Sequence, residues 1–259
     1  MVITILACTI ICCLVMLLVW TWAKAIKNAG VVDIFWAINF SIIAIVLCLM
    51  ADGFWERKII ISLMVLIWSM RLGIYLLIRV GSHLQVEEGR YKRLREEWAP
   101  NPDRKFFFFF QSQALSNIYL AIPFFLIAFN KKPEMSVLEF AGIAVWAISI
   151  LGEAIADGQL KKFKANAANK GKVCDAGLWN YSRHPNYFFE SMIWVGYFLI
   201  SLNADYGWLG ILSPITILLL LFRVTGIPLT EQQALSSKGD AYKEYQRTTS
   251  VFVPWFKKK

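Results

Sequence analysis

Residues 177–190 read GLWNYSRHPNYFFE. This run gathers Trp179, Tyr181, Ser182, Arg183, His184, Asn186, Tyr187 and Glu190 within a chain that is otherwise mostly apolar. Pro185 suits the first turn of a helix, where a missing N–H costs little. Ser182, just before it, is placed to cap that helix. A helix starting there sets Asn186 and Glu190 one turn apart on one face. That face runs into an apolar span, so Glu190 becomes a carboxylate at or below a membrane surface. Ionisable groups in such positions mark function. A polar pair that merely joins two helices is the alternative. So many donors and acceptors beside one cation favour a ligand site.

Of the 259 residues, 58% are hydrophobic, and mean hydropathy is +0.52, above what soluble domains show. The chain therefore reads as membrane-embedded. A formal net charge of +9 would point to nucleic acid in a soluble protein. Here it follows from the concentration of Lys and Arg in cytoplasmic loops, and no nucleic-acid partner is expected. Cys8, Cys12, Cys13 and Cys48 lie in apolar stretches and Cys174 in a basic loop, with no CxxC pair. Neither disulfides nor a zinc site is implied. The first apolar run lacks a basic leader and a small-residue cleavage site, so it reads as a retained transmembrane helix.

A membrane helix needs about 20 apolar residues. Seven stretches qualify: 2–23, 31–50, 59–80, 106–129 with Pro123 inside it, 137–156, 188–202 and 208–229. No repeat or linker interrupts them, so an all-α, polytopic helical bundle forming one membrane domain over 1–259 is expected. The Phe106–Phe110 run reads as an interfacial anchor. With seven crossings, 21 of the 27 Lys and Arg fall on the side of the C-terminus. Only Arg57, Lys58, Lys131 and Lys132 fall opposite, and Arg71 and Arg223 lie inside spans. This bias predicts an N-terminus outside and a C-terminus in the cytoplasm.

Three segments then meet the cytoplasm: 79–105, 157–187 and 231–259. The first is amphipathic and mixed in charge, as for a helix lying along the membrane surface. Lys92, Arg93, Arg95, Glu96 and Glu97 read as its solvated face. Glu87, Glu88, Arg90 and Tyr91 lie nearer the third span and are the better site candidates. Glu153, Asp157, Lys161 and Lys164 recur at helical spacing where the fifth span leaves the bilayer. With Lys172 and Arg183 the lysines form a cationic mouth suited to phosphates. Attraction to anionic headgroups explains the lysines equally well. It does not explain Glu153 and Asp157. The chain contains no GxGxxG, no P-loop, no HExxH and no GxSxG, so a Rossmann or P-loop nucleotide site, a catalytic metal and a serine-hydrolase elbow are not expected.

GLWNYSRHPNYFFE, a hydrophobic hairpin after it, and then TEQQALSSKGDAYKEYQRTTSVFVPWF resemble the C-terminal half of the steroid 5α-reductase-like membrane proteins. VVDIFWAINF, RLGIYLLIR and EEGRYKRLR resemble the bacterial branch of that family, so the similarity covers nearly the whole chain. The RHPNY…E motif is shared more loosely with sterol C14 and C7 reductases, which use NADPH, and with isoprenylcysteine carboxyl methyltransferases, which use S-adenosylmethionine. The resemblance implies substrate-pocket helices in 1–130 and a cofactor-binding half in 131–259. It places Asp157, Lys161, Lys164 and Lys172 at the adenosine and phosphate end of NADPH, with Glu153 beside them. Tyr181, Arg183, His184, Asn186, Tyr187 and Glu190 fall at the pyrophosphate and nicotinamide side. Glu231, Tyr242, Tyr245 and Arg247 close the pocket. The steroid enzymes carry a Gln-Glu pair in an early helix and a Tyr in the next. Here the pair is missing and Trp68 takes the Tyr position, which weakens the case for a steroid but not for reduction.

The implied reaction is reduction of a carbon–carbon double bond conjugated to a carbonyl, in a lipidic substrate drawn from the bilayer. The oxygen that gains charge needs a proton donor or hydrogen-bond donor. Asp33, Tyr75 and Tyr91 are the candidates. Asp33 opens the second span on the same face as Trp36 and Asn39, where it either supplies a proton or meets free N–H groups at the helix start. Arg71 needs a partner in the bundle, with Asp33 or Glu88 in reach. The alternative is an S-adenosylmethionine-dependent methyltransferase of a lipid or prenylated thiol, which needs no phosphate-matching cations. A scaffold or lipid transporter would leave the buried acids idle. A monomer or weak homo-oligomer is expected, in a bacterial inner membrane before an endoplasmic reticulum.

Overall fold

The computed structural model describes residues 1–87, 89–224 and 226–258. Glu88 and Lys259, both used in the sequence reading, lie outside the described residues. Among the described residues the regular elements are helices: α1 (Val2–Ile26), α2 (Val31–Met50), α3 (Trp55–Gly81), α4 (Gly89–Glu97), α5 (Pro102–Leu120), α6 (Ile122–Ala128), α7 (Val137–Ala165), α8 (Pro185–Ser201), α9 (Leu212–Leu219), α10 (Ile227–Lys238) and α11 (Asp240–Thr248).

The expected all-α membrane architecture is present. Among the described residues α1, α2, α3, α7 and the helical stretch Gly207–Lys238 are each long and apolar enough to cross a membrane. The pair α5 and α6, bent by 42°, makes a sixth crossing if it acts as one span. The bend follows from Pro123, which brings no N–H to the preceding turn. The count of seven expected from sequence is not reached by length. The 188–202 stretch forms α8, whose 17 residues span about 26 Å against a hydrocarbon core of about 30 Å.

The chain divides into two compact units: Met1–Met135 with Asn203–Gly207, and Ser136–Leu202 with Trp208–Lys259. In the first, α2 packs against α1, α3, α5 and α6. Phe40 meets Trp68 edge-on at 5.1 Å. A polar seam crosses this apolar core: Asn39 Nδ2 donates to Asn117 Oδ1 (3.0 Å), and Asn117 Nδ2 donates to the Trp36 carbonyl (2.9 Å). Such amides hold helices together where no water competes. Arg57 is buried at the start of α3 and donates to the carbonyls of Asn130, Lys132 and Glu134.

Two sequence expectations change here. The Phe106–Phe110 run is not a simple interfacial anchor, because Phe106 and Phe110, four residues apart, are buried and Phe108 is exposed. Arg95 is not merely solvated. Its Nε and Nη2 both donate to Glu87 at 2.8 Å, and Glu87 Oε1 also accepts from the Ala29 N–H at 2.8 Å. The helix-surface pattern could not reveal this pair, since Glu87 precedes α4. Burial pushes the Glu87 carboxyl up, but Arg95 and the Ala29 N–H outweigh it and hold the group below its usual range.

The second unit is built on α7 and α8. Ser136 and Glu139 start α7 with reciprocal side-chain to backbone bonds. The two helices meet closest at Gly142 and Gly196: a Cβ on Gly142 would sit 2.7 Å from the Gly196 carbonyl oxygen. Small residues at such crossings let backbones approach. Below the crossing, Trp146 Nε1 donates to the Tyr197 hydroxyl at 2.9 Å. The 29 residues of α7 reach about 44 Å, so one end outruns the hydrocarbon core.

Candidate functional site

The start of α8 is bound by the C-terminal tail. Ser182 and Ser250 form an isolated parallel bridge, with the Arg183 N–H donating to the Ser250 carbonyl (2.9 Å) and the Trp255 N–H to that of Tyr181 (2.9 Å). Ser182, expected to cap α8, does something else. His184 occupies the cap position, and its side chain makes no capping bond to the helix start. Ser182 Oγ accepts from the His184 N–H and donates to the Phe252 carbonyl at 2.7 Å. The hydroxyl thus ties the turn to a strip of chain 70 residues away.

Glu231, on α10, is the centre of the cluster. Its Oε1 accepts from Arg183 Nε at 2.7 Å and from His184 Nε2–H at 3.3 Å, and its Oε2 accepts from Gln246 Nε2 at 2.8 Å. Arg183 Nη1 also donates to the carbonyls of Gln246 and Thr249. His184 is buried, and its ring lies parallel to that of Tyr187 at 5.3 Å. A near-buried ion pair is tolerated when every group is hydrogen-bonded, as here. Two tyrosines of α11 pack beside it. Burial pushes the Tyr242 phenol up to about 12, and the Glu231 carboxylate adds to that. Tyr245 donates to the carbonyls of Trp179 and Ser182, and burial raises its phenol well above the usual range.

On the α7 side, Asn186 Nδ2 donates to Asp157 Oδ1 at 3.2 Å, while Asn186 Oδ1 is buried without a partner. Thr249 Oγ is buried and without a partner as well. Glu153, one turn before Asp157, is buried. Glu190 accepts from Trp194 Nε1 at 2.8 Å.

Among the cofactor-side candidates, Arg183, His184, Tyr187, Glu231, Tyr242 and Tyr245 share one cluster, and Asp157 and Asn186 pair. Lys161, Lys164 and Lys172 stand exposed. Tyr181 is 41% exposed and packs its ring edge-on against Phe256. Arg247 pairs with Glu244 on the exposed face of α11. Gln246 was missed by the sequence reading, and Trp179, named in the run but given no role, donates its Nε1–H to the Ala156 carbonyl. The VFVPWF ending was the one available signal for the tail.

In the first unit, Tyr91 donates to Asp33 Oδ1 at 2.6 Å, and Arg79 lies 3.6 Å from Asp33 Oδ2. Tyr75 is 43% exposed on α3, one turn from Arg79. Trp36 and Asn39, expected on the Asp33 face, bind Ser116 and Asn117 of α5.

The family described as "Protein of unknown function (DUF1295)" matches residues 19–249. An uncharacterised protein of Schizosaccharomyces pombe is 24% identical over 270 residues, covering 91% of this chain and 74% of its own. No solved structure matches the chain. The chain belongs to the DUF1295 family.

Proposed function

We propose that this protein is an NADPH-dependent reductase of a carbon–carbon double bond conjugated to a carbonyl, in a steroid-like or other lipidic substrate. The observation that carries the reading is the buried, unpartnered Oδ1 of Asn186, on a side chain already held by Asp157. A buried acceptor left over in a folded protein calls for a donor from outside the chain. A carboxamide N–H is such a donor, so the residues present fit a nicotinamide cofactor at that end. Asn186 and Tyr187 would hold the carboxamide, and Lys161, Lys164 and Lys172 the phosphates. When bound, such a cofactor would supply the hydride that, together with one proton at the α-carbon, reduction of the conjugated double bond needs. In the first unit, Asp33 Oδ1 accepts from the hydroxyl of the buried Tyr91. Arg79 offsets the Asp33 charge.

One observation favours S-adenosylmethionine and methyl transfer instead. The three lysines are exposed, and Arg183 is engaged with Glu231 and two carbonyls. Thermal stability of the purified protein with NADPH, NADH and S-adenosylmethionine separates the two. A ligand at about 100 times its Kd stabilises by about 2.7 kcal/mol. NADPH is expected to raise the melting temperature of wild type and to lose most of that effect in Asn186→Leu. Stabilisation by S-adenosylmethionine alone would replace the reductase with a methyltransferase, and no response to any of the three would reject both.

A further inference from the structure

The outer face of α7 carries two hollows that share a wall. One is a cleft of about 360 Å³ whose polar lining is Gln159, Lys162, Asn166 and Asn169. The other is a groove of about 480 Å³ lined by Ile148, Leu151, Ile155, Leu178 and Phe189. Gln159 and Gly177 border both. The shared wall is a fixed feature. Gln159 Oε1 accepts from the Leu178 N–H at 2.9 Å, and Gly177 sits at φ +61° with room for no Cβ, which would fall 2.5 Å from the Gln159 amide. Neither hollow includes a residue of the Arg183–Glu231 cluster.

Height along α7 sorts the two. A core of about 30 Å takes about 20 residues from the start of the helix, to near residue 156. The groove, at 148–155, therefore lies in the hydrocarbon, and the cleft, beginning at Gln159, lies at headgroup level. Ile148, Leu151 and Ile155 follow one another at helical spacing and are 66%, 64% and 53% exposed. An apolar slot that opens into a polar cleft with a cation matches one kind of occupant: an amphiphile with its chain in the slot and its head in the cleft. Lys162 supplies the charge complementarity, and the amides supply hydrogen bonds to phosphate oxygens.

We infer that this face of α7 is a binding site for a membrane phospholipid with an anionic headgroup, one acyl chain lying along Leu151 and Ile155 and the phosphate on Lys162. The site stands independently of the reductase reading.

Native mass spectrometry of the full-length protein, titrated with phosphatidylglycerol, phosphatidylcholine or glycerol 3-phosphate, tests it. Wild type is expected to retain one phosphatidylglycerol roughly fivefold more strongly than phosphatidylcholine, the factor that one lysine near an anionic head provides. Lys162→Gln should bring the two lipids level, and Leu151→Trp, which fills the slot, should weaken both. Lys105→Gln, an exposed lysine at the start of α5, should change neither. Equal retention of both lipids by wild type would overturn the site. So would an equal loss in Lys105→Gln, an unaffected Leu151→Trp, or displacement of the lipid by glycerol 3-phosphate. Unchanged helical content by circular dichroism keeps a folding defect apart from a lost site.

Discussion

Glu87 receives three N–H groups, two from Arg95 and one from the Ala29 backbone, with its side chain 10% exposed. Its folded carboxyl sits below the ordinary value of about 4.3. A lowered carboxyl contributes stability that is present above the unfolded value and is lost as pH falls through the folded one. Glu87→Gln keeps the shape but loses the charge, and charge-assisted bonds contribute about 1.5–3 kcal/mol each. The variant should melt lower than wild type at neutral pH. The gap should close as pH falls below the ordinary carboxyl value and through the folded one. A gap that stays constant across that window would remove the carboxylate from the account. Glu87 was legible from sequence as a candidate and Arg95 was not. Local spacing identifies partners within a helix, and this pair joins a loop to a helix. Arg183, His184 and Glu231 were legible as polar groups at the mouth of apolar spans. Their meeting with Gln246 and the tail was not, because contacts over such chain separations leave no periodic trace.

At the scale of elements, the α7–α8 pair can be tested by two glycines in one helix. Gly142 faces the Gly196 backbone, and its Cβ would meet a carbonyl oxygen at 2.7 Å that no side-chain rotation can move. Gly158 has nothing within 4 Å of its Cβ. Gly142→Ala should destabilise by about 1–3 kcal/mol through overpacking. Gly158→Ala should stabilise by about 0.5–1 kcal/mol, since it only restricts the unfolded chain and favours helix. Melting of the two variants side by side checks both signs, and destabilisation by Gly158→Ala would show a neighbour that the contact geometry lacks. The boundaries of these helices were largely readable, because apolar length identifies spans directly. The bend at Ala121 was less so. Pro123 was visible in its span, but a proline alone does not say whether a helix kinks or ends. The amphipathic α4 was readable from its charge pattern, and the π-helical turns at Leu220–Val224 were not.

For the whole chain the open quantity is the number of crossings, which sets the side of each terminus. Length alone leaves α8 short at 17 residues. Where the chain goes next argues otherwise. Just before α7, Lys132 Nζ donates to the Asn203 carbonyl at 2.8 Å and lies 3.7 Å from Asp205, and both acceptors follow α8. The chain that leaves along α7 thus returns along α8 to the level at which it left. A helix that returns to its partner's starting level crosses the same layer, and thinning of the bilayer or flanking polar residues accommodates a few missing ångströms. Counting α8 as a crossing predicts seven, with the 21 basic residues on the side of the C-terminus. Single cysteines placed in a cysteine-free background and treated with a membrane-impermeant maleimide read this out. Lys131→Cys and Tyr206→Cys should label from outside intact cells, and Lys257→Cys only after permeabilisation. Protection of Tyr206→Cys with labelling of Lys131→Cys would mean that α8 does not cross. Labelling of Lys257→Cys alone would invert the whole chain, and the basic segments around α7, α10 and α11 would then face away from any cytosolic nucleotide.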